Sequence, residues 1–193
     1  MTMTSRDRVL TALNRREPDH VPLCDVAVDK GLAQKLLDWQ GDADIGSSSR
    51  TENPYTVAES KAISACLGLD NISYLLRAPT YANMHTGIDG RTFVGSGMIK
   101  TEADLSMIDL PDPYDDALYR EAEEYIAERG DYAACFVTRI GFFQVVLSLG
   151  LEGFSMALYD KTAMVEKMLD MYFDWMAVVV ERMCKIGFDV FWS

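Results

Sequence analysis

Apolar side chains along most of this chain recur with the spacing of amphipathic helices. In eight segments they return every third or fourth position, which places them on one face of a helix. These segments cover residues 4–16, 31–39, 54–67, 101–110, 115–129, 141–149, 151–158 and 160–187. Thr4 and Thr101 each precede an acidic residue by three positions, a pattern typical of helix starts, and glycines follow several of the expected ends.

Four short apolar segments do not alternate, and this pattern predicts strands buried on both faces. They cover residues 21–28, 71–76, 132–139 and 188–193. Residues 80–100 differ, because polar and apolar side chains alternate around Asp89-Gly90, a dipeptide that favours a two-residue hairpin turn. The sequence therefore predicts one α/β domain over residues 1–193, with a parallel sheet covered by helices and a separate β-hairpin.

The composition and net charge argue against several classes of function. The 193 residues carry 18 Lys and Arg against 30 Asp and Glu, a net charge of −12. Binding to nucleic acid or to anionic lipid needs concentrated positive charge, so neither kind of binding is expected. No apolar run approaches the ~18 residues of a membrane helix, and residues 1–15 do not form a secretory signal. A cytoplasmic protein is expected, with Cys24, Cys66, Cys135 and Cys184 as buried reduced thiols.

One stretch of sequence carries a family likeness. Residues 4–23 read Thr-Ser-Arg-Asp-Arg-Val-Leu-Thr-Ala-Leu-Asn-Arg-Arg-Glu-Pro-Asp-His-Val-Pro-Leu, which resembles the opening of the uroporphyrinogen decarboxylase superfamily and of its bacterial and archaeal paralogues. The predicted hairpin, Gly150-Leu-Glu-Gly153 and Gly187-Phe-Asp-Val-Phe-Trp192 look like the same family in the same order. The likeness extends over the whole chain.

The resemblance implies a fold and a partner. That superfamily folds as a (β/α)8, or TIM, barrel, and an intact barrel takes ~250 residues. The chain is therefore expected to be the first half of such a barrel, about four βα units with an N-terminal helix and an inserted hairpin. The strand over 188–193 would then lie at an open sheet edge, which predicts a complementing half-barrel or a homodimer.

The residues that mark a true decarboxylase in this superfamily are not matched. An Arg-x-Ala-Gly-Arg stretch would grip substrate carboxylates, but the chain has Cys24-Asp-Val-Ala-Val-Asp-Lys30 at that place. Leu76-Arg77-Ala78 stands where the decarboxylase presents an aspartate, and Val146-Leu147-Ser148 where it has a tyrosine. The likeness is thus closer to the corrinoid methyltransferase branch.

That branch implies cofactors outside this chain. Its members use zinc held by a His-x-Cys pair and a later Cys, and those ligands belong to the second half of the barrel. His20 and His85 are the two histidines here, and neither stands two residues before a cysteine. No metal site or cofactor is expected in this chain, while a corrinoid on a partner protein and zinc in the missing half are implied.

Candidate binding residues follow from the predicted strand ends. Arg77 and Arg139 each come directly after a predicted strand, where a guanidinium can hold a carboxylate or phosphate, although structural ion pairs explain them equally well. Gln144 could orient a substrate or make a cap contact, and Asp25 could act as acid, base or cation ligand. Asp29 is expected to cap the following helix.

The sequence is compatible with three functions and assigns no catalytic residue. The favoured one is part of a corrinoid-dependent methyltransferase, which moves a methyl group between a corrinoid protein and an acceptor. The alternatives are a tetrapyrrole decarboxylase, a carboxy-lyase of porphyrin metabolism with an altered site, and a half-barrel subunit that binds or assembles without chemistry of its own.

Overall fold

The computed structural model describes residues 2–39, 53–88 and 92–193. The α-helices in these ranges are α1 (Ser5–Leu13), α2 (Lys30–Leu37), α3 (Val57–Leu67), α4 (Arg120–Ala127), α5 (Phe142–Leu149), α6 (Leu151–Asp160) and α7 (Thr162–Ile186). The strands are β1 (Asn71–Leu75), β2 (Ala82–Thr86), β3 (Thr92–Gly97), β4 (Ala133–Val137) and β5 (Val190–Trp192). Two short 3-10 helices, Glu102–Met107 and Asp116–Tyr119, complete the described secondary structure.

The strands form two separate sheets. β1, β4 and β5 make a parallel sheet in that order, with Leu75 opposite Val137 and Val137 opposite Trp192. β2 and β3 pair antiparallel outside it, which confirms the predicted hairpin. The predicted turn at Asp89-Gly90 lies outside the described residues. The chain is a mixed α/β protein with a parallel sheet and helices, as expected.

The predicted strand over residues 21–28 is wrong. Val21 is 85% exposed, and no strand is assigned to this segment. Side chains of β1 hold it instead: the Asp25 N–H donates to Asn71 Oδ1 at 3.0 Å, and Ser73 Oγ donates to the Asp25 carbonyl at 3.1 Å. Because these side chains take the place of backbone partners, the segment follows the edge of β1 without forming a ladder.

Three helix starts also differ from the sequence prediction. α3 begins at Val57, because Thr56 and Glu59 form a capping box, whereas Asn53 accepts a hydrogen bond from the Leu75 N–H. The helix predicted from residue 115 opens as a 3-10 turn before α4. Asp160 ends α6 and does not cap α7.

Helix α1 closes the amino-terminal end of the parallel sheet. The Arg8 guanidinium, 5% exposed, is paired with Asp70, which directly precedes β1. Arg6 donates through Nε to Asp189 before β5 at 2.9 Å, and its backbone N–H donates to Asp131 before β4 at 2.8 Å. Each strand of the sheet is thus tied to α1 by a charged or backbone contact at its start.

The main core lies between the sheet and helices α4 and α7. Its largest fully buried side chains include Ile72, Tyr119, Phe136, Met168, Tyr172, Val179 and Met183. The hairpin docks on the end of α5, where the Ile99 N–H donates to the Ser148 carbonyl at 3.0 Å. A Cβ on Gly97 would lie 2.3 Å from that same carbonyl oxygen, so this close approach requires glycine.

All four cysteines are free thiols, but the expectation that all are buried is wrong. Cys135 in β4 is buried, Cys24 is partly buried, and Cys66 and Cys184 are exposed. Cys66 and Cys184 lie on helices, and the apolar residues around them face the core while the thiols do not. Burial raises the pKa of the Cys135 thiol to about 12, so this thiol stays protonated at neutral pH.

Candidate functional site

Two arginines stand side by side at the carboxyl end of the parallel sheet. Arg77 lies two residues beyond Leu75 and Arg139 two residues beyond Val137, and these two strand residues are opposite each other in the register of β1 and β4. Parallel strands in register bring the residues that follow them to the same edge. The two charges are close enough for Arg139 to lower the pKa of Arg77.

Arg77 is a partly buried cation with an unused donor. Burial, followed by the positive charge of Arg139, lowers the pKa of Arg77 to about 10, so the side chain remains protonated at neutral pH. Its Nε atom is buried and has no hydrogen-bond partner among the described residues. A buried N–H without an acceptor is unfavourable, which makes this atom a place where a ligand oxygen would be stabilised.

Arg139 is held by aromatic packing and by the neighbouring strand. Its guanidinium carbon lies 4.2 Å from the centre of the Phe143 ring, a cation–π arrangement. Burial lowers the pKa of Arg139. The preceding Thr138 N–H donates to the Trp192 carbonyl at 3.0 Å, which ties this turn to β5.

A glycine turn leads from Arg139 into α5. Gly141 has φ +99°, and a Cβ on it would lie 2.7 Å from Tyr172 Cβ, so only glycine fits. This turn places Gln144 in the first turn of α5. Gln144 is 1% exposed, and its Oε1 atom has no hydrogen-bond partner within the ranges that the structure covers.

The face of α5 that carries Gln144 is turned toward the segment that leaves β1. Ser148 lies one helical turn after Gln144 on the same face, and its Oγ accepts a hydrogen bond from the Tyr81 N–H at 3.0 Å. Arg77 lies four residues before Tyr81. Gln144 lies one turn before Ser148, in the first turn of α5.

The structure separates Asp25 from this cluster. Asp25 lies beside Asn71 and Ser73 in the first half of β1, and Ser73 is about 13 Å along the strand direction from Arg77. Asp29 caps α2 as predicted, accepting from the Leu32 N–H at 3.1 Å. Of the four candidate binding residues, Arg77, Arg139 and Gln144 follow the carboxyl ends of strands, and Asp25 lies beside the first half of β1.

An exposed aromatic rim near the arginines was not foreseen from the sequence. Trp192 follows a strand pattern that predicts burial, yet it is 38% exposed. Its large apolar neighbours at this end of the sheet are also exposed: Ile140, Phe142, Phe143 and Phe191. The sequence signal that could have found this rim is the pair of adjacent aromatic residues, Phe142 and Phe143, directly after a strand and a glycine.

No group of three or more His, Cys, Asp or Glu residues within the described part of the chain is placed to hold a metal ion. No single described helix is long and apolar enough to cross a membrane. The consecutive helices α5 and α6 meet that test only as a pair, by length and composition, and they are bent by 100° at their junction.

Comparisons with known proteins show a similarity in structure but no match in sequence. No protein-family model matches the sequence, and no curated protein matches it. A methyltransferase from Methanosarcina mazei has a similar solved structure, with a TM-score of 0.67 and 17% sequence identity over 98% of this chain. This chain spans 58% of that methyltransferase's length. At this identity the similarity establishes a shared fold, and the resemblance to the uroporphyrinogen decarboxylase superfamily stays a prediction.

Proposed function

We propose that this chain is part of a methyltransferase built on a (β/α)8 barrel, which moves a methyl group between a corrinoid protein and an anionic acceptor. The observation that carries the proposal is the pair Arg77 and Arg139 at the carboxyl ends of adjacent parallel strands. Barrel enzymes place their chemistry at this end of the sheet. The fold shared with a methyltransferase supports the choice of reaction.

In this proposal the described residues bind and orient the acceptor. Arg77 and Arg139 attract its anionic group, and the guanidinium geometry suits carboxylate or phosphate oxygens. The exposed rim of aromatic side chains offers a surface for the flat tetrapyrrole of a partner protein. A corrinoid on that partner would supply the methyl group, and zinc held by residues beyond these would activate the acceptor.

The assay for this function measures methyl transfer from methylcobalamin to thiol acceptors that carry a carboxylate, with the product identified by mass spectrometry. The protein is assayed in the oligomeric state that light scattering measures for it in solution. Arg77→Met should lower the rate at least tenfold, while Arg120→Met, at an exposed arginine of α4, should leave it unchanged. No methyl product, or equal rates in both variants, would refute the proposal. Release of CO2 from uroporphyrinogen would support the decarboxylase alternative instead.

A second proposed role is assembly through β5, and one observation favours it. β5 pairs with β4 on one side, and no described strand pairs with its other side. Phe191 and Trp192 on this strand are exposed, and an unpaired apolar edge favours pairing with another chain. We propose that a complementing half-barrel or a second copy covers this edge.

The assembly proposal is tested by molar mass in solution. Phe191→Lys adds a charge at the edge and should shift the assembly toward monomer in light scattering. Phe173→Lys changes an equally exposed phenylalanine of α7 outside the edge and should leave the mass unchanged. A wild-type chain that stays monomeric at high concentration would contradict pairing between copies. If it also fails to co-purify with any chain from its source cell, the complementing half-barrel is contradicted as well.

A further inference from the structure

We propose that the exposed side of helix α6 is a contact surface at which two copies of this chain pair about a two-fold axis. This surface, which we call the α6 face, consists of Leu151, Ser155, Met156, Leu158 and Tyr159. It is separate from β5 and from the two arginines, so the inference goes beyond the proposed function.

Helix α6 is attached to the rest of the chain by one side. Ala157 on this side is buried. The neighbouring Phe154 packs its ring edge-to-face against Phe142 of α5, with 5.6 Å between the ring centres. These contacts leave the opposite side of the helix to face outward.

The outward side carries an apolar row with a small residue at its centre. Leu151, Ser155 and Tyr159 follow one another at four-residue intervals, which places them in one row along the helix. Met156 and Leu158 flank this row. Ser155 Oγ donates to the Leu151 carbonyl at 2.8 Å, so the hydroxyl has its acceptor within the helix and can be buried against a partner. The small side chain in the middle of the row leaves room for a second helix to approach closely.

The apolar area of the α6 face matches what a stable dimer needs. Its four large side chains, Leu151, Met156, Leu158 and Tyr159, are between 48% and 90% exposed. At about 200 Å² for a large side chain in full exposure, they present roughly 550 Å². A standard interface buries about 800 Å² on each partner, and about 65% of a homodimer interface is apolar, which is about 500 Å². The area is therefore sufficient for a stable pair.

Charge favours a second copy as the occupant of this face. The whole chain carries a net charge of −12, so two copies repel each other over most of their surfaces. Residues 140–159 contain one charged side chain, that of Glu152. Copies that meet at the α6 face therefore bring few like charges together. An uncharged apolar face is also complementary to itself, as the interface of a two-fold dimer must be.

A lipid surface fits the α6 face less well. Helices that lie on membranes carry Lys and Arg on their polar side, which anionic headgroups attract. The charged residues of α6 are Glu152 and Asp160, both acidic. The same headgroups would repel them, so a second copy is the favoured occupant.

The dependence of molar mass on concentration, measured by light scattering, tests this pairing. The wild-type chain should contain at least two copies at high concentration. Leu151→Glu brings like charges together at the α6 face and should raise the dissociation constant at least tenfold. Leu13→Glu adds the same charge at a similarly exposed leucine at the end of α1, and it should leave the dissociation constant unchanged.

Tyr159→Glu provides a second variant at the other end of the row. Because Tyr159 is 90% exposed, its replacement should leave the fold intact, which far-UV circular dichroism verifies. It should also raise the dissociation constant at least tenfold. A wild-type chain that stays monomeric at high concentration would overturn the inference. Variants Leu151→Glu and Tyr159→Glu that pair as tightly as the wild type would do the same.

The α6 face and the β5 edge can be told apart in the same experiment. Weaker pairing in Leu151→Glu but not in Phe191→Lys supports the α6 face and contradicts pairing of copies through β5. The reverse result overturns the inference and leaves the β5 proposal standing. Flotation of a monomeric wild-type chain with phosphatidylcholine vesicles, lost in Leu151→Glu, would assign the face to lipid and overturn the inference. Co-purification of a different protein that is lost in Leu151→Glu would overturn it in favour of that protein.

Discussion

Arg77→Met should stabilise the folded chain in the absence of ligand, which is unusual for a change at a partly buried residue. The folded structure lowers the pKa of this guanidinium from its usual value to about 10, so folding disfavours its charged form. Below pH 10 the residue is charged in both folded and unfolded chains, and the full cost of burying it opposes folding. Methionine keeps most of the apolar stem and removes the charge.

The size of the effect follows from that pKa. At ~1.4 kcal/mol per pH unit, the shift corresponds to an upper bound of about 3 kcal/mol. Because solvent still reaches the side chain and screens its charge, we expect about 1–2 kcal/mol of added stability. The cost should fade only as the pH rises above about 10, where the folded chain would lose the proton first.

Urea unfolding at neutral pH, followed by far-UV circular dichroism, measures this free energy directly. Arg8→Met is the contrasting variant, since Arg8 is buried and paired with Asp70. Its loss leaves a buried carboxylate without its partner, and we expect a decrease of about 3–5 kcal/mol. If Arg77→Met also lowered the free energy of unfolding by more than about 1 kcal/mol, Arg77 would have a structural partner and the reasoning would fail.

Three further changes test other parts of the fold. Gly97→Ala should lower the free energy of unfolding by more than about 2 kcal/mol in urea, because its Cβ would lie 2.3 Å from backbone at the end of α5. Gly153→Ala, with 4.0 Å to its nearest neighbour, should be neutral or stabilising in the same urea unfolding assay. Arg8 lowers the pKa of Asp19, so the ion pair stabilises the fold fully above about pH 4 and is lost as the pH falls. The protection of α1 amides from hydrogen exchange, relative to their intrinsic exchange rates, should therefore fall in acid, and it should change less in Asp19→Asn. Gly141→Ala should lower the free energy of unfolding by more than about 2 kcal/mol, because its Cβ would lie 2.7 Å from Tyr172 Cβ and would force the turn before α5 to move.

Periodicity predicted much of the fold, because buried strands and amphipathic helices leave patterns in neighbouring residues. β1, β4, β5, the hairpin and six of the seven α-helices were all placed within a few residues. The placement of Arg77 and Arg139 at one sheet edge followed from the same patterns, since parallel strands must end on the same side.

The remaining errors concern choices that only tertiary contacts decide. Asn53 and Thr56 are both suitable N-caps by residue type, and Asn53 loses that role because it bonds to the Leu75 N–H of a distant strand. The segment around Asp25 has the composition of a strand, but the side chains of Asn71 and Ser73 hold its backbone. Neither long-range contact leaves a signal in local sequence.

The two ends of the parallel sheet differ in how their charges are satisfied, and this difference argues for a binding role at the carboxyl end. At the amino end, Arg8 and Asp70 are buried as a pair, so each stabilises the other. At the carboxyl end, Arg77 Nε and Gln144 Oε1 are buried without partners among the described residues. A side chain kept for stability alone would be replaced by an apolar one at such a position, because burial without a partner costs free energy. An anionic ligand oxygen that accepts a hydrogen bond from Arg77 Nε would offset part of that cost, and the free energy gained in this way would add to the affinity for that ligand.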